Sequence, residues 1–153
     1  EGSNQKKPQS PPYGSSLMTK PKIYLSGPIM DADPHGAREW RSKAKELLSE
    51  NFDLLDPMRR SFVDRAVDSA NEIVRFDLQD VDDAAIILVN YSKPSIGTAM
   101  EVFYAGHVRD KFVVAFSPFS FQDSSPWMVK YCTKILPSLE EAAEYINTNF
   151  ANK

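Results

Sequence analysis

The sequence predicts a single-domain α/β protein: a doubly wound parallel sheet of Rossmann or flavodoxin type, with helices on both faces in three α/β/α layers. Two observations predict it. Four short apolar runs alternate with four longer stretches in which apolar residues recur at helical spacing. The runs show little polar alternation, as expected of strands covered on both faces. At 153 residues the chain is large enough for one domain with its own core.

Residues Glu1 to Lys20 are rich in Pro, Ser, Gly, Gln and Lys and read as a disordered tail. Met18 reads as a natural start, which makes the residues before it an appended tag. The folded domain is expected over residues 21–153. Lys22-Ile23-Tyr24-Leu25-Ser26 is the first strand, stopped by Gly27-Pro28. Ala37, Trp40, Ala44, Leu47 and Leu48 mark an amphipathic helix, with Arg38, Arg41, Lys43 and Lys45 largely on its other faces. Phe52 to Leu55 is a short second strand, stopped at Asp56-Pro57. Val63, Val67, Ala70, Val74 and Val81 predict a second helix with a break near Arg75. Ala85 to Asn90 is the third strand, and a third helix starts at about Gly97 and carries Met100, Phe103, Tyr104 and His107. Lys111 to Phe116 is the fourth strand, followed by a loop with Ser117-Pro118 and Ser125-Pro126-Trp127. Ser138 and Glu141 form a capping box for the last helix, which runs through Leu139, Ala142, Ala143, Ile146 and Phe150.

Composition excludes several classes. A net charge of −3 and a pI near 5.4, with no basic run beyond Lys6-Lys7 and Arg59-Arg60, argue against a binder of nucleic-acid polymers. There is no apolar run of membrane-spanning length and no apolar N-terminal segment of signal-peptide type, so no membrane is expected as partner. A lone Cys132 allows no internal disulfide and fits a reducing, cytoplasmic setting. With His35, His107 and one cysteine, neither a His/Cys metal site nor a cofactor is expected.

Ligands of such sheets bind outside the carboxyl ends of the strands. That rule gathers Ser26-Gly27-Pro28, Asp56-Pro57, the stretch from Asn90 through Ser92, Ser95, Gly97 and Thr98 to Glu101, and Ser117 onward into one crevice. Gly-x-Gly-x-x-Gly, Gly-x-x-x-x-Gly-Lys-Ser/Thr and Gly-x-Ser-x-Gly are absent from the sequence. What remains is a set of carboxylates. Glu101 lies in the first turn of the third helix, behind a loop of small residues where unpaired N–H groups and the helix dipole favour negative charge. It reads as a nucleophile, as an anchor for a sugar hydroxyl, or as a helix-dipole residue alone. Asp77 and Asp80 are neighbours on one helical face. Two carboxylates, one nucleophile and one acid, are the minimum set for breaking a glycosidic bond. Spacing leaves Asp77 open; Asp80, Asp82 and Asp83 read as a solvated helix end. Trp40 reads as core, Arg38 and Arg41 as a solvated face, His107 as packed on its own helix, and Cys132 as an inert buried thiol.

The blocks Lys22 to Ile29, Asp77-Leu78, Ile86 to Asn90 and Ser95-Ile96-Gly97-Thr98-Ala99-Met100-Glu101 resemble the nucleoside 2-deoxyribosyltransferase superfamily. Ser125-Pro126-Trp127 and Ser138 to Ala142 resemble its deoxyribosyltransferase-like branch. The resemblance implies that Glu101 is the nucleophile of a covalent glycosyl-enzyme. It further implies that Asp77 protonates or hydrogen-bonds the departing base and that Tyr24 orients the nucleophile. Two departures stand out. Six residues before the nucleophile the transferases carry an aspartate for sugar hydroxyls, whereas the related nucleoside 5′-monophosphate N-glycosidases carry a phosphate-binding serine; this chain has Ser95. A hydroxyl at a helix N-terminus accepts phosphate where an aspartate repels it, and Ser26, Gly27, Arg38 and Ser92 are candidates to complete that pocket; a plain N-cap is the other reading of Ser95. Ala84-Ala85 stands where many relatives open the strand with aspartate. The resemblance also implies a homodimer or higher oligomer, with Trp127, Met128 or Tyr131 as candidates for a loop that closes a neighbour's pocket.

Three functions follow as expectations. The first is cleavage of the N-glycosidic bond of a (deoxy)nucleoside 5′-monophosphate to free base and sugar 5-phosphate. The second is base exchange on 2′-deoxynucleosides. The third, of another class, is a nucleotide-binding module without turnover.

Overall fold

Apolar residues on both faces of a strand demand cover on both faces, and the chain supplies it. The computed structural model describes residues 19–30, 32–60, 69–119 and 124–151. The strands are β1 (Lys22–Ser26), β2 (Asp53–Leu55), β3 (Ile86–Asn90), β4 (Phe112–Phe116) and β5 (Lys134–Leu136). All pairings are parallel, in the order β2-β1-β3-β4-β5. The helices are α1 (Pro34–Leu48), α2 (Ala70–Asp83), α3 (Ile96–Phe103), α4 (Pro126–Tyr131) and α5 (Leu139–Phe150).

Side chains alternate across a strand. Ile23, Leu25, Ile86, Leu88 and Val114 therefore face one layer, where they meet Ala44 and Leu48 of α1 and Leu139, Ala142, Ala143 and Ile146 of α5. Tyr24, Ile87, Val89, Val113 and Ala115 face the other, with Val81 of α2, Val102 of α3 and Met128 of α4. That parity places Tyr24 and Ser26 on the α2/α3 side. Between β1 and β3 the connections diverge, one leading to β2 and the other to β4, which opens the crevice at their carboxyl ends.

Local signals explain the helix ends. Asp33 caps α1 by accepting from the N–H groups of His35 and Gly36, with Pro34 following it. Ser95 caps α3, and Ser138 accepts from the N–H of Glu141 at 3.2 Å to cap α5. Beyond Phe103, α3 widens into a π-helical turn over Tyr104–Val108.

The structure corrects four expectations. There are five strands among the described residues, not four; the added one is the three-residue edge strand β5. The segment expected as loop after Ser125 is helix α4, and its signal was a serine cap followed by proline. Helix α2 runs unbroken through Arg75, since no proline or glycine interrupts it. Arg41, expected on a solvated face, is fully buried. The expectations for the tail up to Met18 and for Val63 and Val67 lie outside the described residues.

A Cβ added at Gly106 would lie 2.7 Å from the carbonyl oxygen of Tyr131, a backbone atom that cannot swing away. Gly106→Ala is expected to lower stability by about 1–3 kcal/mol in denaturant unfolding. Gly97→Ala meets nothing within 4 Å and is expected to hold or raise stability by up to about 1 kcal/mol, as alanine does in a helix.

Candidate active site

Glu101 sits in the second turn of α3, not in the first as expected, because the helix opens at Ile96 behind the Ser95 cap; it precedes the buried Val102, on the flank turned toward β1. Its carboxylate is gripped by two hydroxyls of β1. Tyr24 Oη donates to Oε2, and Ser26 Oγ donates to Oε1 at 2.9 Å. The two donors are two residues apart in one strand, so the pleat aims both at the same layer. Tyr24 is 1% exposed and Ser26 fully buried, while Glu101 keeps partial access to the crevice.

The electrostatics follow from that burial. Desolvation pushes the Glu101 carboxyl up to about 7; the Tyr24 hydrogen bond opposes the rise, the Asp77 charge adds to it, and Ser26 and Arg41 oppose it. Burial, then the Glu101 charge, raises the Tyr24 phenol well above its usual range, so it stays a donor. Asp77 on α2 is half-buried, and burial raises its carboxyl against the pull of Arg60, whose Nη2 donates to Oδ1 at 2.8 Å. Glu101 and Asp77 are thus two carboxyls in each other's field, both holding protons more tightly than usual.

The remaining predicted residues fall into three groups. Ser26, Gly27 and Pro28 end β1 as buried backbone. Asn90 and Ser92 form a turn in which Asn90 Oδ1 accepts from the Ser92 N–H at 3.0 Å. The two loops touch, because a Cβ at Gly27 would lie 3.1 Å from Asn90 Cβ. Ser95 is the N-cap of α3: its Oγ accepts from Thr98 Oγ1 at 3.1 Å and from the Thr98 N–H at 3.5 Å, with Gly97 exposed between them. Arg38 is exposed on α1 and, among the described residues, makes no hydrogen bond or ion pair with this cluster.

Besides that of Arg41, the bland readings of Asp80 and Asp82 are overturned; those of the other residues are not. Asp80 is not a solvated helix end: it is 5% exposed and paired with Arg59 and Arg60 at 2.7 and 2.9 Å. Asp82 accepts from Tyr104 Oη and Arg109 Nε, and Asp83 alone of the three is exposed, taking a bond from Gln79. Trp127 projects from α4 and is 68% exposed, whereas Met128 is buried core. His107 stacks on Phe103 one turn back, and burial pushes the Cys132 thiol up to about 12, which leaves it inert. Trp40 packs edge-on against Phe116, with its buried indole N–H meeting no acceptor among the described residues. Sequence reasoning missed Arg41 and Arg60; the signal for Arg41 was its place between Ala37 and Ala44 on the apolar stripe of α1.

No protein-family model and no curated protein matches the chain. Solved structures do. A 2-deoxyribosyltransferase from Bacillus psychrosaccharolyticus superposes with a TM-score of 0.65 at 18% identity, over 81% of this chain and 91% of that one. A conserved protein from Enterococcus faecalis V583 gives 0.67 at 17% identity, over 86% and 100%. The CMP N-glycosidase BcmB from Clostridium botulinum gives 0.56 at 12% identity, over 83% and 98%. The chain therefore shares the fold of these proteins, and the resemblance in its sequence blocks is met at that level.

A carboxyl that keeps its proton up to about 7 in the fold, but to about 4.5 when unfolded, weakens the folded state as pH rises between those values. Glu101→Gln removes that penalty. Its stability gain over the wild type is expected to be near zero below about pH 4 and to grow to at most about 3 kcal/mol above about pH 8, reduced by partial exposure. Denaturant melts of both proteins across pH measure it.

Proposed function

We propose that this protein cleaves the N-glycosidic bond of a nucleoside 5′-monophosphate through a covalent glycosyl–Glu101 intermediate. The observation that carries the reading is the Glu101 carboxylate, held by Tyr24 and Ser26 at the switch point of the sheet with a second carboxyl, Asp77, within its field. Glu101 attacks the anomeric carbon, the bond to the base breaks, and its electron pair leaves with the base. Asp77 gives that base a proton; its raised affinity for protons suits the task. Water then attacks the anomeric carbon, the ester to Glu101 breaks, and Asp77 takes a proton from the water. The products are free base and sugar 5-phosphate.

Tyr24 and Ser26 fix the attacking oxygens. Ser95, Gly97 and Thr98 open α3, and that N-terminus offers N–H groups and a hydroxyl to the 5′-phosphate. Ser26 to Pro28 on one side and Asn90 and Ser92 on the other are assigned to the sugar and phosphate, with Arg38 as a further cation toward the phosphate. The same reading takes the protein as a homo-oligomer, supported by the exposed apolar stripe of Ile96, Met100 and Phe103 on α3 and by Trp127.

A second reading, transfer of the sugar to another base, uses the same intermediate and is favoured by the likeness to the 2-deoxyribosyltransferase. Chromatography of released base separates them, using a panel of ribo- and deoxynucleosides and their 5′-monophosphates with and without a second free base. Base released from monophosphates alone is the expected result. A new nucleoside formed only with the second base supports transfer instead. Nucleotide binding without turnover leaves a plain binding module.

Two further outcomes are expected. Glu101 attacks only when ionised, and Glu101→Ala lowers kcat/KM for base release by at least about 10³-fold. Ser95→Asp is expected to lose activity on monophosphates and to keep or gain it on nucleosides; equal loss on both removes the phosphate role.

A further inference from the structure

A guanidinium at 0% exposure is costly to bury unless it is hydrogen-bonded and its charge has a use. Arg41 occupies such a place on the inner stripe of α1, with Ala37, Ala44 and Leu48. Its Nη2 donates to the carbonyl of Gly27 at 3.0 Å and its Nε to that of Leu25 at 3.4 Å. These are the two residues that flank Ser26. Nη1 donates to Ala37 O at 3.0 Å, within its own helix.

Charge accounting points the same way. Asp56 lies 3.8 Å from Arg41 Nε and 2.7 Å from Lys45 Nζ, so one carboxylate is shared by two cations and a net positive charge remains. On the other side Asp77 and Asp80 are matched by Arg59 and Arg60. No cation hydrogen-bonds Glu101 among the described residues, and the Arg41 guanidinium lies behind the Ser26 that holds it, bound to the carbonyls on both sides of that serine, from where its charge favours the Glu101 carboxylate. The groups that face Glu101 are Tyr24 and Ser26 from β1, Asp77 from α2 and Arg41 from α1; those that face Arg41 are Asp56, Tyr24, Glu101 and Asp77.

We propose that Arg41 is a positioning residue for the reaction assigned to Glu101: its buried guanidinium ties the β1 backbone on both sides of Ser26, which aims the serine hydroxyl, and supplies a countercharge that favours the ionised nucleophile against its burial. The inference rests on the reading of Glu101 as nucleophile, and it adds a residue that touches no substrate. A mere staple between α1 and β1 needs the hydrogen bonds but not the charge.

The test reads the Glu101 carboxyl by ¹³C NMR titration, without substrate, in the wild type, Arg41→Gln and Arg41→Lys. Glutamine keeps a donor and loses the charge; lysine keeps the charge and loses the fork across Leu25 and Gly27. Arg41→Gln is expected to move the Glu101 midpoint up by about one pH unit or more. Arg41→Lys is expected to move it by less than half as much. A folded Arg41→Gln with an unmoved midpoint overturns the inference, as does an equal shift in both variants. Should Arg41→Gln not fold, the wild type still decides. The Arg41 Hε resonance follows the Glu101 titration and ceases to do so in Glu101→Gln; a resonance indifferent to pH between about 5 and 9 overturns the proposal. Base release intact with an unmoved Glu101 midpoint sinks this inference alone. No base release from any substrate sinks the reading of function, whatever the titration shows.

Discussion

The grip of two β1 hydroxyls on the Glu101 carboxylate is the interaction on which the rest of the site depends. It requires that Tyr24 and Ser26 share a face of the strand, which the two-residue period of the pleat guarantees. It requires that α3 pack on that face, which Val102 and Ala105 secure against the sheet. A slip of one residue in β1 would send both hydroxyls into the opposite layer, among Ala44 and Leu48. The apolar register of Ile23 and Leu25 against α1 and α5 therefore fixes the position of a polar pair on the other side of the sheet.

Charge at the site is organised in two grades. Away from the crevice, acids and arginines neutralise one another: Asp80 with Arg59 and Arg60, Asp82 with Arg109. These pairs anchor the chain around Asp56 to Arg60 onto α2 and the end of α3 onto the same helix. Inside, compensation is incomplete. Glu101 has hydroxyls for partners rather than a cation in contact, and Asp77 is pulled one way by burial and the other by Arg60. Direct contact with an arginine would hold Glu101 ionised, but it would also occupy the oxygens to which the proposed function assigns the attack. Neutral donors leave the carboxylate basic and available, at the expense of stability at high pH.

The fold was legible because strand and helix differ in period and because three strands, β1, β3 and β4, run to five residues, while the three-residue β2 was marked by the Asp56-Pro57 stop behind it. The three-residue β5 and the short α4 carry no period, and the one local sign of α4 was its serine cap followed by proline. Within the site, Glu101 was legible as the one carboxylate of a helix that follows a buried strand, although it stands in the second turn of that helix and not in the first. The meeting of Tyr24 with Glu101, separated by 77 positions, is a product of parallel pairing that no local pattern displays. Arg41 misled for a specific reason. Helical periodicity places it on the apolar stripe, but an arginine there is normally read as outward-facing, and only the carbonyls exposed at the end of β1 explain its burial. Asp80 misled in the same way, since its two arginine partners lie some twenty positions upstream in sequence.

The central claim is that Glu101 forms a bond to the anomeric carbon. Rapid acid quench during turnover of a nucleoside 5′-monophosphate, followed by peptide mass spectrometry, measures it directly. A sugar phosphate increment on the peptide carrying Glu101, and its absence in Glu101→Gln, is the result the structure leads us to expect. Base release by the wild type with Glu101 unmodified throughout turnover, or an increment carried by another residue, would contradict it.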